Sequence, residues 1–356
     1  MKKLLYPLLF LIIVSCSTDS TDSFNDTVLE NTDSEMTPED TADNQETESQ
    51  NQNTAPVLNL QSYPINEHAS PATSIGFVQA NDLDGDELTY SISSEVDIEI
   101  NETTGELTVG PDLQLDFETM SNIEFMVSVF DGATITEENF ELIIEDIDET
   151  TLLTTEQTEL ISYFQHLVYW KGHANTPVER NQKWASTMKI YLHGTISNEF
   201  AATVDDVMAE YNEIFNDGFS IVTEENESES NASVFFGSES ELENVWPDMF
   251  EIVKDGGYSG YAITPSNAHQ LSNSRIWISN PAAVLFKHEL GHALGFGHSN
   301  KCQSENSFLC SQISTDNDFL PEELSIIRYA YHHRLQEGLT EEEAEAVLAD
   351  IIVNEQ

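Results

Sequence analysis

HELGHALGFGH, residues 288–298, is the stretch of this sequence that decides its fold. His288 and His292 are four residues apart, so on a helix both imidazoles leave the same face one turn apart and can meet at one cation. Glu289 lies beside them, where its carboxylate can take a proton from a water molecule that the cation has acidified. The spacing predicts a helix that carries two zinc ligands and a general base.

The residues around this helix predict its two ends and a third ligand. Asn280 is a good N-cap residue and Pro281 suits the first helical position, which predicts a helix over about 281–294. Gly295 tolerates the left-handed conformation that turns the chain back, so His298 can reach the same cation. The alternative is three unrelated surface histidines, but this set of residues at fixed offsets rarely arises by chance.

The motif resembles HExxHxxGxxH of the metzincin clan of zinc endopeptidases, and within that clan it resembles the matrixin-like branch. The resemblance covers roughly residues 183–335. It implies one catalytic Zn²⁺ held by His288, His292 and His298, with Glu289 as the catalytic base. The implied activity is hydrolysis of peptide bonds in protein or peptide substrates, by an α/β (α+β) domain with a mixed sheet and a zinc-binding helix.

The chain departs from the family pattern below the predicted zinc. Metzincins carry a methionine-containing turn there, and the best candidate in this chain is residues 307–310, with Leu309 at the methionine position. Leucine and methionine are both apolar and similar in volume, so the turn can still support the site.

The remaining patterns in this half fit such a domain. Alternating apolar residues predict strands, and helical spacing predicts an amphipathic helix at 199–216, a helix from Pro321 and a last helix at about 340–353. The predicted strands are 188–192, 219–222, 233–236, 260–264 and 275–278. In matrixin-like enzymes the strand that resembles 260–264 is an exposed edge that pairs with an extended substrate; an ordinary edge strand is the alternative.

The N-terminus predicts export and lipidation. Lys2 and Lys3 precede an apolar run that is too short to span a bilayer permanently, and small residues lead to Cys16. This is typical of a bacterial lipoprotein signal over residues 1–15, with Cys16 lipidated. The expected location is the bacterial envelope, anchored in the membrane at the outer membrane, the cell surface or the periplasmic face. An uncleaved signal anchor or a plain secretory peptide is the alternative.

The other cysteines fit an oxidising compartment. Cys302 and Cys310 are eight residues apart and flank the turn below the predicted zinc, so we expect a disulfide between them. No thiol other than Cys16 precedes the zinc domain, which excludes the cysteine-based latency of some matrixins.

Composition separates a tether from the folded parts. Residues 16–56 contain almost no apolar side chains, which predicts a disordered acidic tether. The formal net charge is −53, and no Lys or Arg lies between Lys3 and Lys171. Such a surface repels phosphate backbones, so nucleic-acid binding is excluded. The acidity fits divalent cations, a saline medium or basic substrates.

Residues 57–148 resemble a cadherin-type repeat, which implies an all-β sandwich. The residues that carry the likeness are Asn66–Glu67, Asp82–Asp86, Ile100–Leu107, Leu115–Glu118, Val129–Asp131 and Asp146–Glu149. In that family acidic groups at the two ends of the sandwich hold Ca²⁺ between successive repeats, and carboxylate oxygens suit this hard cation. The resemblance implies one possible calcium end at Glu67, Asp116, Glu118, Asp148 and Glu149, and another at Asp82, Asp84 and Asp131. A spacer with solvated acidic loops is the alternative.

The segment 149–182 contains a predicted helix at about 155–170 with an apolar stripe. The stripe predicts packing on the zinc domain, and an inhibitory segment over its cleft is the alternative. Histidines elsewhere, including His68, His332 and His333, lack ligand spacing. We therefore expect a zinc endopeptidase domain over 183–356. The competing hypothesis is a calcium-dependent adhesion or binding lipoprotein whose zinc domain is catalytically silent. Self-processing within the producing cell's envelope is a third hypothesis.

Overall fold

The computed structural model describes residues 52–92, 95–171, 176–194 and 196–355. The predicted signal peptide, the lipidation site Cys16 and the tether up to residue 51 lie outside the described residues. Within the described ranges, no helix combines the length and the apolar character that a membrane span requires.

The first folded part is a β-sandwich, in agreement with the predicted all-β module at 57–148. A four-stranded sheet has the order β2-β9-β8-β5, and a three-stranded sheet has the order β3-β7-β6. A short β1–β4 pair adds to these sheets. The strands are β1 Val57–Leu58, β2 Ser62–Asn66, β3 Ser74–Phe77, β4 Ala80–Asn81, β5 Thr89–Ile92, β6 Ile98–Ile100, β7 Glu106–Val109, β8 Asn122–Phe130 and β9 Ile135–Glu145.

The sandwich forms because its strands alternate apolar and polar residues. In β8, Ile123, Phe125 and Val127 are buried while Asn122 and Glu124 are exposed, as the two-residue period of a strand requires. These side chains share one core with Leu107 and others from the three-stranded sheet. The two sheets therefore pack face to face.

The second folded part carries the HELGHALGFGH stretch. Its helices are α1 Thr155–Tyr169, α2 Asn198–Ile214, α3 Glu239–Val245, α4 Pro247–Val253, α5 Ala283–Ala293, α6 Pro321–Ala330 and α7 Glu341–Asn354. Its strands are β10 Trp170–Lys171, β11 Thr176–Pro177, β12 Met188–His193, β13 Ile221–Thr223, β14 Ala232–Phe236, β15 Gly260–Ile263, β16 Ser266–Asn267, β17 Gln270–Leu271 and β18 Ser274–Ile278.

A five-stranded mixed sheet positions the motif helix. The order is β13-β12-β14-β18-β15, with parallel pairing except at the edge strand β15, which is antiparallel to β18. Helices α2 and α5 both lie close to this sheet and to one another. A mixed sheet, with β15 as one of its edge strands, is therefore present.

Helix α1 belongs to the core of this second part. Phe164, Leu167 and Tyr169 of α1 are almost completely buried in the same hydrophobic cluster as Phe286 and Leu290 of α5. Burial of this apolar stripe is the expected behaviour of an amphipathic helix. Helix α1 thus packs as part of the zinc-motif domain.

The start of the motif helix differs from the prediction of 281–294. Helix α5 begins at Ala283, its N-cap is Ala282, and no side chain caps it. The Ala282 N–H donates to the Asn280 carbonyl at 2.9 Å, so Pro281 lies in a tight turn before the helix. The last helix begins as predicted, because Thr340 and Glu343 form a capping box.

Candidate metal centre

The fold brings the three histidines of the motif together. His288 and His292 lie on α5, with their Nε2 atoms 3.0 Å apart. His298 follows the turn at Gly295, whose φ of +103° is the left-handed conformation expected there. One ring nitrogen from each histidine lies within 4.8 Å of the others, as three ligands of one ion require. The sequence-predicted ligand set is therefore assembled in space.

Backbone carbonyls fix how two of these rings are turned. His288 Nδ1 donates to the Phe308 carbonyl at 2.9 Å, and His292 Nδ1 donates to the Phe296 carbonyl at 2.8 Å. In the neutral rings the hydrogen is then on Nδ1, so both Nε2 lone pairs face each other. Lone pairs at 3.0 Å repel unless a cation lies between them. The donor set fits a zinc ion bound through Nε2, with a carbonyl orienting each ring.

Burial sets the protonation of the site. His288 is 3% exposed, and burial lowers its pKa to about 4, which keeps the ring neutral and able to bind a metal. Glu289 is 4% exposed, and burial raises its pKa to about 8. A cation beside Glu289 favours the ionised carboxylate and opposes this rise.

Glu289 lies against the edge strand. A Cβ atom placed on Gly260, the first residue of β15, would come within 2.5 Å of Glu289 Oε1, so only glycine leaves the carboxylate its present position. Both residues line a cleft of about 530 Å³. The cleft is lined by Lys171, Gly256–Ala262, His288, Glu289, His292, Phe296, His298, Ser311 and Ile313. An extended chain in this cleft would lie between the edge strand and the histidines.

The turn below the histidines is tightly held. Ser307 Oγ donates to the buried Glu323 carboxylate at 2.6 Å, and the Leu309 N–H donates to Ser307 Oγ at 3.0 Å. Phe308, between them, offers the carbonyl that orients His288. The predicted disulfide between Cys302 and Cys310 is confirmed, with a Cα–Cα distance of 5.5 Å.

Leu309, at the predicted methionine position, is fully buried below α5. A Cβ atom on Gly291 would lie 2.9 Å from Leu309 Cδ2 and 2.7 Å from the Phe308 ring. Glycine at 291 therefore lets this turn approach the helix between the two histidines. Leu309 thus lies against α5 at Gly291, and its support of a metal site stays a prediction.

The acidic residues predicted at one end of the sandwich do not act alike. Glu67 is buried and accepts N–H groups from Phe117 at 2.9 Å and Ile147 at 2.7 Å. It can form one ligand group with Glu118 and Asp146, and another with His68 and Glu149. The other two predicted residues cap local turns: Asp116 accepts from Thr119, and Asp148 accepts from Thr150.

Two of the three acidic residues predicted at the other end contact the chain that precedes β1. Asp82 and Asp84 form a possible ligand group with Asp86. Asp84 accepts the Thr54 N–H at 2.6 Å, and Asp131 accepts from the Asn53 amide at 2.9 Å. Hydrogen bonds from the Thr134 N–H, the Asn53 amide and the Ala133 N–H lower the pKa of Asp131. Asp84 and Asp131 thus both bind the segment Asn53–Thr54.

Another histidine pair lies near acidic groups but differs from the motif histidines. His332 and His333 can form a ligand group with Asp217. However, the Arg334 N–H donates to His332 Nδ1 at 3.3 Å, so the ring hydrogen is on Nε2, which lies 3.0 Å from a Glu355 carboxylate oxygen. In this tautomer Nε2 donates a hydrogen bond to Glu355, and the expectation that these histidines are not ligands stays a prediction.

Sequence reasoning missed three residues near these sites. It set His68 aside as isolated, yet its Nε2 lies 3.0 Å from Glu149 Oε1. It did not count Asp86 with Asp82 and Asp84, although the DxDxD spacing was a visible signal. Lys171 lines the cleft beside the motif histidines, and nothing in its local sequence indicates this.

Comparison with known proteins gives partial structural likenesses. No protein-family model matches the chain, and no curated protein matches it either. Among solved structures, human protocadherin-24 EC1-2 matches at 18% identity and a TM-score of 0.26, covering 41% of this chain and 56% of that one. Mouse clustered PcdhgC3 EC1-3 matches at 27% identity and a TM-score of 0.23, covering 26% and 33%. The chain thus spans about half or less of the lengths of these cadherin extracellular structures.

Proposed function

We propose that this protein is a zinc-dependent endopeptidase. The observation that carries the proposal is the convergence of His288, His292 and His298 beside Glu289 in a cleft bordered by an edge strand. A structural zinc site has no need of an uncoordinated carboxylate, and it is usually closed by a fourth protein ligand. A metzincin-type enzyme, as its motif implies, is the finer form of this proposal.

Different groups in the cleft have different roles in the proposed hydrolysis. When bound by the three imidazoles, Zn²⁺ supplies Lewis-acid polarisation of the scissile carbonyl and of the attacking water. The carboxylate of Glu289 accepts the proton of that water and then gives it to the leaving amine. The edge strand β15 borders the cleft, and an extended substrate would lie along it as an added strand.

The decisive experiment replaces the general base alone. Glu289→Gln preserves shape, so the purified chain should keep stoichiometric zinc but cleave an unfolded protein substrate at least about a hundredfold more slowly. Glu243→Gln, on the exposed side of α3, is the matched control and should cleave like the wild type. Undiminished cleavage by the Glu289 variant would exclude the proposed mechanism.

The proposed location is the bacterial envelope, with the chain held by lipid at Cys16. Support comes from the signal-like N-terminus and from the Cys302–Cys310 disulfide, which is typical of proteins outside the reducing cytosol. A peptidase anchored in this way would act on extracellular or envelope proteins. Cys16→Ala should move the chain from the membrane fraction to the soluble fraction, and retention in the membrane would contradict lipid anchoring there.

A second candidate function is calcium-dependent binding of a partner by the sandwich. This function does not depend on peptidase activity. The observation in its favour is Asp82: its Oδ1 accepts three backbone N–H groups, while its Oδ2 is buried and has no hydrogen-bond partner among the described residues. A buried, unpartnered carboxylate oxygen is costly, and a hard cation shared with Asp84 and Asp86 would satisfy it.

Calcium binding can be tested without knowing a partner. Calorimetric titration of the mature chain with Ca²⁺ should show binding in the roughly 10⁻⁴–10⁻³ M range that is common in extracellular modules. Asp82→Asn keeps the turn-capping oxygen but removes the charge, so it should weaken this binding. Asp255→Asn, on an exposed loop, is the control. Binding that is equal in both variants would exclude the Asp82 site.

A further inference from the structure

Lys171 reaches the cleft because its strand is pressed against the motif. The Gly297 N–H donates to the Leu167 carbonyl at 2.6 Å, and a Cβ atom on Gly297 would lie only 2.0 Å from the Trp170 carbonyl oxygen. The chain at Trp170–Lys171 therefore runs directly alongside the residue that precedes His298. The position of this strand depends on glycine at 297 and on the place where α1 ends.

The side chain of Lys171 is the only Lys or Arg side chain among the described residues that line the cleft. The Lys171 Nζ donates to Gln182 Oε1 at 3.2 Å, and it lies near Gly295, 3.6 Å from a Cβ atom placed on that glycine. An ammonium group has three donor hydrogens, and one amide oxygen uses one of them.

Lys171 also differs from several cations of this acidic chain that form ion pairs. Arg275 Nη2 lies 2.6 Å from an Asp248 carboxylate oxygen, and Lys287 Nζ lies 2.5 Å from one of Glu210. Within the described ranges, no carboxylate lies within 4 Å of Lys171, although the sequence has 65 Asp and Glu residues. Burial lowers the pKa of Lys171 to about 8, so the amine is still mostly charged at neutral pH.

We propose that Lys171 is a specificity-determining residue of the cleft, whose ammonium group binds a carboxylate of the peptide substrate. This inference rests on the proposed peptidase function. The long-range field of a chain with charge −53 opposes anionic ligands, but it is screened beyond about 8 Å at physiological ionic strength. Direct contact with the partly buried Lys171 ammonium group therefore determines which substrate group binds beside it.

The substrate carboxylate has two possible sources, an Asp or Glu side chain or the C-terminus of a short peptide. A peptide library that is made both with free and with amidated C-termini separates them. Enrichment of Asp or Glu at one fixed distance from the cut in both libraries supports a side-chain carboxylate. Enhanced cleavage only in the free-acid library, at a fixed distance from the C-terminus, supports the terminal carboxylate.

Variants then assign the preference to Lys171. Lys171→Met should reduce the ratio of kcat/KM for the preferred peptide over its neutral counterpart by about tenfold or more. Lys171→Glu should invert the preference towards Lys or Arg at the same position. Lys254→Met, a substitution outside the cleft, should leave the ratio unchanged. Because each ratio is measured on one enzyme preparation, partial misfolding of a variant does not alter it.

The remaining outcomes overturn one or both proposals. Library cleavage without carboxylate dependence, or a ratio that Lys171→Met and Lys171→Glu leave unchanged, overturns the role of Lys171 while the peptidase function stands. Absence of cleavage by the zinc-loaded wild type in both libraries, and on an unfolded protein, overturns the peptidase function and the inference with it.

Discussion

Glu289 and His288 have opposite responses to burial, and this has consequences for the metal-free protein. Burial raises the pKa of Glu289 from 4.5 to about 8 and lowers that of His288 from 6.5 to about 4. Above pH 6.5 the folded chain keeps a proton on Glu289 that the unfolded chain has released, so stability falls as pH rises towards 8. Between about 4.5 and 6.5 the unfolded chain binds a proton at His288 that the folded chain lacks, which opposes the Glu289 effect.

The first prediction follows from this sign. In the presence of a chelator, the free energy of unfolding of the wild type should fall by about 2 kcal/mol as pH rises from 6.5 to 8, because the folded chain keeps a proton on Glu289 that the unfolded chain has released. Glu289→Gln, which has no ionisable group, should lack this part of the loss. The measurement is urea unfolding at both pH values, with Glu243→Gln as control. Equal losses in the wild type and in Glu289→Gln would show that the carboxyl is not held protonated.

At the scale of elements, the turn 307–310 acts as a support for the motif helix. Leu309 is fully buried, and the Phe308 carbonyl next to it orients His288. The second prediction is that Leu309→Met, which nearly conserves volume, costs less than about 1.5 kcal/mol and keeps zinc affinity. Leu309→Ala should cost about 2–5 kcal/mol and weaken zinc binding about 10–100-fold, because it loosens the turn that holds the ring.

The control for this pair is Leu107→Ala. Leu107 is also fully buried, but it lies in the core of the sandwich. Its truncation should destabilise the chain by a similar amount without changing zinc affinity, measured by competition with a chromophoric chelator. If Leu309→Ala and Leu107→Ala both leave zinc affinity unchanged, the turn has no role in orienting the histidine.

Local sequence predicted most elements of the zinc-motif domain, and tertiary contacts explain where it failed. Motif spacing indicated the three histidines and Glu289, and the capping box indicated the start of α7 at Thr340. The predicted start of α5 at residue 281 was wrong. Proline favours the first helical turn, but the Ala282 N–H donates to the Asn280 carbonyl, so Pro281 lies in a backbone turn before the helix.

Contacts between distant residues were beyond local patterns. His68 and Glu149 are 81 residues apart, and the cleft position of Lys171 depends on the packing of α1 against Gly297. No periodicity or motif encodes such pairings, because they arise only when separate elements pack. The same holds for the Phe308 and Phe296 carbonyls that orient the rings, since any residue can offer a carbonyl.

At the scale of the whole molecule, the described residues form two large hydrophobic cores. One lies in the sandwich, and the other joins α1 to the five-stranded sheet and to α5. Composition and turn spacing predicted the sandwich, but they did not decide whether the segment 149–182 was a packed helix or a cover for the cleft. The burial of Phe164 in the core of the zinc-motif domain makes α1 a structural part of that domain.

The tryptophans allow this assignment to be tested. Trp170, Trp184, Trp246 and Trp277 all follow residue 148, and the sandwich contains none, so tryptophan fluorescence reports only the zinc-motif domain. The third prediction compares two almost fully buried phenylalanines, Phe164 of α1 and Phe125 of β8. Each Phe→Ala change should cost about 3–5 kcal/mol in its own core.

Phe164→Ala should therefore lower the midpoint of thermal unfolding seen by tryptophan fluorescence by roughly 6–20 °C, as expected for a domain of this size. Phe125→Ala should leave that midpoint within a few degrees and should instead lower a second transition that calorimetry detects. Under the proposed function the zinc would bind only the folded domain, so its removal should shift the fluorescence transition, and calcium should not shift it. An unchanged fluorescence midpoint in Phe164→Ala would mean that α1 does not stabilise the core of the zinc-motif domain. That result would favour the alternative in which the segment is an inhibitory cover over the cleft.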